Sequence, residues 1–197
     1  SGWWPLWLPV AALGLLWWQM VRFFRDPARP IPDDPHALLA PSDGVVTHLH
    51  EVDEPDFPGG RAFRVSVYLS PWDVHLNRIP RNGRVVATRY FPGEFVRARR
   101  EDCAVRNEQL WTDFEEPNGR VVRVKQISGA MARRLVCWLR PGETVTAGTR
   151  FGLIKYGSRS DVLVPAGEAM TVAVAVGDRV YAGSTVLWRY SEEVRTS

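Results

Sequence analysis

Two octapeptides near the C-terminus constrain this chain more than anything else in it. Gly142-Glu-Thr-Val-Thr-Ala-Gly-Thr149 returns 35 residues later as Gly177-Asp-Arg-Val-Tyr-Ala-Gly-Ser184. Each copy reads as a turn, a short strand and a second turn, whose glycine admits the positive φ that other residues resist. Two copies are too few for a solenoid, so they predict two related halves of one small β structure.

The rest of the body agrees. Alternating runs recur at GVVTHLHEV, FRVSVYLS, RVVATRYF, RVVRVKQIS, RLVCWL, DVLVP and MTVAVAV, the period of half-buried strands. Clusters of Gly and Pro at 56–60, 80–83, 117–119 and 141–142 punctuate them as turns. Only 94–109 leaves room for a helix in this part of the chain. With 197 residues, 45% of them hydrophobic, the chain can bury a core. Residues 37–197 are therefore expected to be mainly β, a compact antiparallel barrel or sandwich. The G-[DE]-x-V-x-A-G turns resemble those of biotinyl- and lipoyl-type barrel-sandwich hybrid domains. Cys103 and Cys137 are too few for a disulfide framework, and no CxxC or Cys/His ladder suggests zinc. His48 and His50 would share a strand face like a metal pair, but no third ligand is evident, so no metal is expected. A net charge of +3 is too small for a nucleic-acid binder.

The first 25 residues have a different texture. Five of the nine tryptophans fall in WWPLWLPVAALGLLWW, and no charge occurs before Arg22. A spanning helix needs about 20 apolar residues, so the run is just long enough, and tryptophan at both ends suits a membrane interface. Pro5 and Pro9 would shorten a regular helix, which leaves a surface-lying or re-entrant segment open. A buried core helix is the plain alternative. If the segment spans, Arg22, Arg25 and Arg29 place the remainder at the cytoplasmic face of the cell membrane. A stiff stretch, RDPARPIPDDP, links this anchor (1–25) to the body and is read as a linker over 26–36. On this reading, removing the leader through Phe24 would release the protein from membranes without harming its chemistry.

The chemistry is expected between the two octapeptides, in RFGLIKYGSRSDV. Gly157-Ser158 follows an apolar strand and precedes what reads as a charged turn. Alone, Gly-Ser is an ordinary corner. Three further segments change that: APSDGVV (40–46), SPWDVHLNRIP (70–80) and RNEQ (106–109). Together with FFRDPARPIP, and in this order, they resemble the phosphatidylserine decarboxylase proenzymes, the short microbial type in particular, over nearly the whole chain.

That resemblance implies a self-processing lyase of phospholipid biosynthesis. Ser158 would attack the Gly157 carbonyl, split the chain into β (1–157) and α (158–197) parts that stay together, and become a pyruvoyl group. The pyruvoyl would form a Schiff base with the amine of phosphatidylserine, giving phosphatidylethanolamine and CO₂. Within the motif, His75 is the expected base and proton donor, since its intrinsic pKa lies near working pH. Asp43 would orient or charge-stabilise it, with Asp73 in a similar part. Lys155 is read as structural. Longer bacterial members carry a second histidine where this chain has Arg78. An arginine cannot be a base, so Arg78 is expected to bind the substrate's phosphate or carboxylate, or else the other groups do more. Two other readings stay open: a decarboxylase of another serine phospholipid such as an ether lipid, and a non-catalytic membrane-anchored barrel. The second lacks a lysine in a Met-Lys hairpin, because neither Lys125 nor Lys155 sits in one. Association with further copies of the chain is open as well.

Overall fold

The computed structural model describes residues 4–131, 134–155 and 158–191. A helix α1 (Trp4–Phe23) comes first, followed by β1 (Ala37–Leu39), β2 (Gly44–Asp53), β3 (Arg61–Leu69), β4 (Leu76–Arg78) and β5 (Gly83–Phe91). One turn of helix, α2 (Cys103–Arg106), is all that forms in the 94–109 window, and β6 (Gln109–Glu115) and β7 (Val121–Ile127) follow it. The C-terminal part holds β8 (Leu135–Cys137), β9 (Thr144–Val145), β10 (Arg150–Ile154), β11 (Ser158–Pro165), β12 (Met170–Val172), β13 (Arg179–Val180) and β14 (Val186–Tyr190).

A curled antiparallel sheet in the order β13-β2-β3-β11-β7-β6-β5-β9 forms the main wall, and two three-stranded sheets, β1-β14-β12 and β4-β10-β8, complete the body. Alternation places Val65 and Val67 of β3, Val124 of β7 and Val162 and Val164 of β11 on the inner face, where they pack with Phe151, Leu187 and Trp188. The mainly β expectation therefore holds.

The octapeptides form the two related halves that their repetition predicts. In both, the glycines take positive φ: +96° and +78° at Gly142 and Gly148, +99° and +73° at Gly177 and Gly183. Each clasps a hairpin-like segment in the same way. Gly142 N–H donates to Val85 O and Gly148 N–H to Ile79 O; Gly177 N–H donates to Val46 O and Gly183 N–H to Ala40 O, all at 2.8 Å. The duplication thus reaches further than the octapeptides. APSDGVV (40–46) and IPRNGRV (79–85) are its other half, and Asp43 and Asn82 occupy matching places. Asp43 accepts the N–H of Ala182 at 2.9 Å, and Asn82 accepts that of Ala147 at 2.8 Å.

Helix α1 continues through Pro9, at the loss of one intrahelical hydrogen bond. Its sequence is apolar on every face, and Trp7, Leu13 and Trp17 are each more than 60% exposed. No helix among the described residues is long and apolar enough to cross a membrane; tryptophan, with its polar N–H, keeps the hydropathy modest. The Pro-rich linker is a strap bound to the body, not a free spacer. Asp26 pairs with Arg78 (2.6 Å) and Arg150 (3.0 Å), Arg29 with Asp43 (2.5 Å) and Asp34 with Arg189 (2.7 Å), while Ser184 donates to Pro30 O.

Candidate active site

Ser158 is the first residue of β11 and lies opposite Leu69, the last residue of β3. The chain then leaves β3 through Ser70, whose N–H (2.8 Å) and hydroxyl (2.7 Å) both donate to one oxygen of Asp73. Arg179 holds the other oxygen at 2.7 Å. Burial opposes the charge on Asp73, but the bonds from Arg179 and Ser70 outweigh it and hold the carboxyl below its usual range. This clamped turn delivers His75, whose carbonyl accepts the N–H of Ile154 at 3.1 Å. The strand that leads toward Ser158 is thus tied to the backbone of the histidine itself. The segments that carry His75 and Ser158 are thus both anchored at the same end of β3. Gly157 lies outside the described residues.

His75 is fully buried, and its Nδ1 lies 2.9 Å from the carbonyl oxygen of Asp73. A carbonyl can only accept, so Nδ1 carries the proton and Nε2 keeps the lone pair, the arrangement a general base requires. Burial pushes the imidazole pKa down to about 4, which keeps it neutral at physiological pH. Phe23, at the end of α1 and 1% exposed, stacks on the ring with centroids 4.2 Å apart.

Asp43 and Asp73 meet His75 differently from a serine-hydrolase triad. The carboxylate of Asp43 spans the Arg29 guanidinium and the Ala182 N–H, and burial raises its pKa against both. Asp73 reaches the imidazole through its backbone carbonyl. Arg78 donates to Gly148 O (2.9 Å) and to Asp26 (2.6 Å), so it grips the strap. Lys155 lies beside the leader, its Nζ 5.9 Å from the Phe24 ring.

Register fixes the direction of the Ser158 side chain. Val162 and Val164 belong to the inner core, so Ser158 and Ser160, in step with them, also face inward. Both hydroxyls are buried without a hydrogen-bond partner among the described residues. Ser160 lies opposite Gln126, whose Nε2 donates to Asn77 Oδ1 at 2.7 Å. The remaining amide atoms, Gln126 Oε1 and Asn77 Nδ2, are buried without such partners too. Orphaned groups of this kind are costly in a plain core, and their concentration beside Ser158 marks a chemical layer. Sequence reading passed over both amides, although Asn77 stands only two residues after His75.

The charged turn expected after Ser158 is instead a buried stretch of strand. Arg159 and Asp161 are 0% exposed and share the opposite face of β11, where Arg159 Nε and Nη2 donate to Asp161 at 2.6 and 3.0 Å and Nη2 also meets Ser66 Oγ at 2.7 Å. Their mutual neutralisation is what permits burial. The β5–β6 loop covers the pair: Glu101 reaches Arg64 and His48, and Cys103 packs beneath it with its thiol pKa pushed up to about 11 by burial.

The family model described as "Phosphatidylserine decarboxylase" matches residues 17–187. The chain belongs to the phosphatidylserine decarboxylase family. Relatives in that family bear the name phosphatidylserine decarboxylase proenzyme. The one from Rhodopirellula baltica is 42% identical over 192 residues, 96% of this chain and 78% of the relative. Those from Symbiobacterium thermophilum (42%; 94% and 84% of the two chains) and Desulfotalea psychrophila (41%; 84% and 76%) are similar over comparable lengths. Membership of the phosphatidylserine decarboxylase family agrees with the fold, because the matched region contains the strap, both octapeptides and the His75–Ser158 corner.

Proposed function

We propose that this chain is a self-processing decarboxylase of phosphatidylserine that cuts itself between Gly157 and Ser158. The observation that carries the reading is Ser158 itself: an inward-facing, fully buried serine whose hydroxyl has no partner among the described residues, at the end of β3 that also anchors the segment of a neutral imidazole. His75 Nε2 takes the hydroxyl proton while Oγ attacks the Gly157 carbonyl carbon. The C–N bond breaks, the Ser158 nitrogen is protonated and an ester replaces the amide. Loss of the Ser158 α-proton expels the 1–157 carboxylate, and water then displaces ammonia, which leaves a pyruvoyl cap on the 158–197 chain.

The inner face of β11 suits such a cap, because the orphaned hydroxyl marks where the group would form and the nearby Asn77–Gln126 pair keeps a buried donor, Asn77 Nδ2, without a partner among the described residues. The cap supplies an electron sink for the substrate amine as CO₂ departs. The chain does the rest. His75 moves the proton, Asp73 fixes its tautomer through the backbone, and Asp43 sets the local charge together with Arg29. The apolar leader α1, with Arg22 in its last turn and Arg25 just beyond it, holds the body at an anionic bilayer on the cytoplasmic side, where the lipid substrate resides.

Intact mass on the purified wild-type chain tests the reading directly. Two species, split at 157/158, with the smaller one blocked at its N-terminus and reducible by borohydride in the presence of an amine, are expected. An active chain that stays whole would overturn it.

A further inference from the structure

The β5–β6 loop carries several arginines, and they fall into two kinds. Arg100 is bonded twice to Asp102, and Arg106 to Glu94 and Asp102. Arg97 and Arg99 have no carboxylate partner among the described residues; the guanidinium of Arg99 lies over the ring of Tyr68 at 4.5 Å. The loop that holds them is firmly seated. Ala98, between the two, is 4% exposed, Asn107 bonds Val96 on both sides of its amide, and Glu101 is locked to Arg64 and His48. Two neighbouring guanidiniums therefore stand on a seated loop without a carboxylate partner among the described residues.

They flank a cavity of about 250 Å³ whose other walls are Tyr68, Pro71, Ala98, Ala130 and Met131. Its position relates it to the candidate active site. Tyr68 directly precedes Leu69, the residue opposite Ser158, so it lies on the outer face of β3 while Ser158 faces inward, and Pro71, just beyond the strand end, follows Ser70, which clamps the turn that presents His75. Trp72, next to Pro71, is 57% exposed, and its carbonyl accepts a bond from Arg25 just beyond α1. One side of this short segment thus faces the arginine cavity and the other the end of the apolar helix.

We infer that this cavity receives the phosphodiester of the substrate headgroup, with Arg97 and Arg99 as its ligands. The inference rests on the decarboxylase reading and adds the residues that recognise the substrate's anion. Guanidinium pairs phosphate oxygens in a planar fork, and the walls of Pro71 and Met131 suit the apolar start of the glycerol esters. In phosphatidylserine the amine is separated from the phosphorus by one short link, so a phosphate held beside Tyr68 leaves the amine to reach across the β3 end toward position 158. A pair of guanidiniums also draws an anionic headgroup in from the bilayer surface.

The test uses full-length, cleaved enzyme and a short-chain phosphatidylserine below its micelle concentration, so that no bilayer is present. Charge-assisted contacts at a half-open site imply a rise in KM of about tenfold for Arg97→Gln and for Arg99→Gln, with kcat within about twofold and cleavage at 157/158 unchanged. Glycerophosphoserine should compete with substrate in the wild type and fail to compete in the double variant. Arg89→Gln, which removes an exposed arginine on β5, should leave KM as it is. Unchanged KM in the double variant, an effect seen on anionic vesicles only, or an equal effect of Arg89→Gln would overturn the inference. So would inorganic phosphate competing as well as glycerophosphoserine, which would make the cavity a free-phosphate site. Failure of the wild type to cleave or decarboxylate would instead strike the underlying reading, leaving the two failures distinct.

Discussion

Phe23 lies flat against the imidazole of His75, ring centroids 4.2 Å apart and planes 30° from parallel. The last turn of helix α1 is therefore part of the wall around the candidate base. A leader deletion that ends at Phe24 removes this ring as well, so such a cut is expected to disturb the surroundings of His75 too. A deletion ending before Met20 should release the protein from membranes and keep cleavage, whereas one through Phe24 should slow cleavage as well. Fractionation and gel analysis of the two truncations check this.

Phe23→Leu should loosen the same wall more gently. Less burial lets the imidazole pKa climb from about 4 toward its ordinary value. Cleavage should then acquire an acid limb between pH 5 and 6.5 on the scale of ordinary histidine titration, about pKa 6.5, with the rate at pH 8 little changed. Rate–pH profiles of variant and wild type decide it. Overlapping profiles would show that Phe23 does not govern His75.

The buried, neutral His75 also links stability to pH. Its folded pKa is depressed, so the unfolded chain binds the extra proton first as pH falls. The contribution is fully present above the unfolded value of about 6.5 and is lost as pH falls toward about 4. Wild-type Tm should drop across that window more than that of a His75→Gln variant, measured by calorimetry on chains also carrying Ser158→Ala so that none is cleaved.

Ser158→Ala should remain a single 22.3 kDa chain without decarboxylase activity. Ser158→Cys can still make the acyl shift and should cleave while forming the cap poorly. Ser160→Ala should be processed, because its hydroxyl does not adjoin the scissile carbonyl. Mass spectrometry separates all three outcomes.

Arg78 offers a sharp contrast between two roles. If it serves to hold the strap through Asp26, then Arg78→Ala and Asp26→Ala should share one phenotype, a loosened leader with modestly reduced activity. If it binds the substrate, Arg78→Ala alone should raise KM. Side-by-side kinetics of the two variants distinguish them.

Asp161→Asn should cost about 3–5 kcal/mol, since it removes the nearest carboxylate from a guanidinium that is wholly buried beneath the β5–β6 loop. Chemical denaturation of the uncleavable chain reads this directly. A loss below about 1 kcal/mol, the range of exposed ion pairs, would mean that Arg159 finds another partner.

Strands with one apolar face were legible in the sequence because alternation reports burial directly, as in FRVSVYLS and RVVRVKQIS. β6 escaped notice: QLWTDFE buries Thr112 and Asp113, and Asp113 is made tolerable by Arg123 at 2.7 Å, which no local pattern reveals. The start of β11 was misread for the same reason, its arginine and aspartate being paired along one face. His75 and Ser158 were legible as motif members. Phe23 was not, because a leader that is apolar everywhere carries no mark of which residue turns inward. Asn77 and Gln126 became visible only when the strands brought their amides together.

The duplicated halves also contain a substitution experiment already performed. Asp43 and Asn82 hold matching turns through matching backbone bonds, so an amide at this place is enough to build the turn. What the carboxylate adds in the half nearest His75 is a second oxygen bearing charge, and Arg29 of the strap is drawn onto it. One copy of the duplicated turn has kept to architecture while the other has acquired an electrical role. The Asn82 copy displays the same corner folded without that charge.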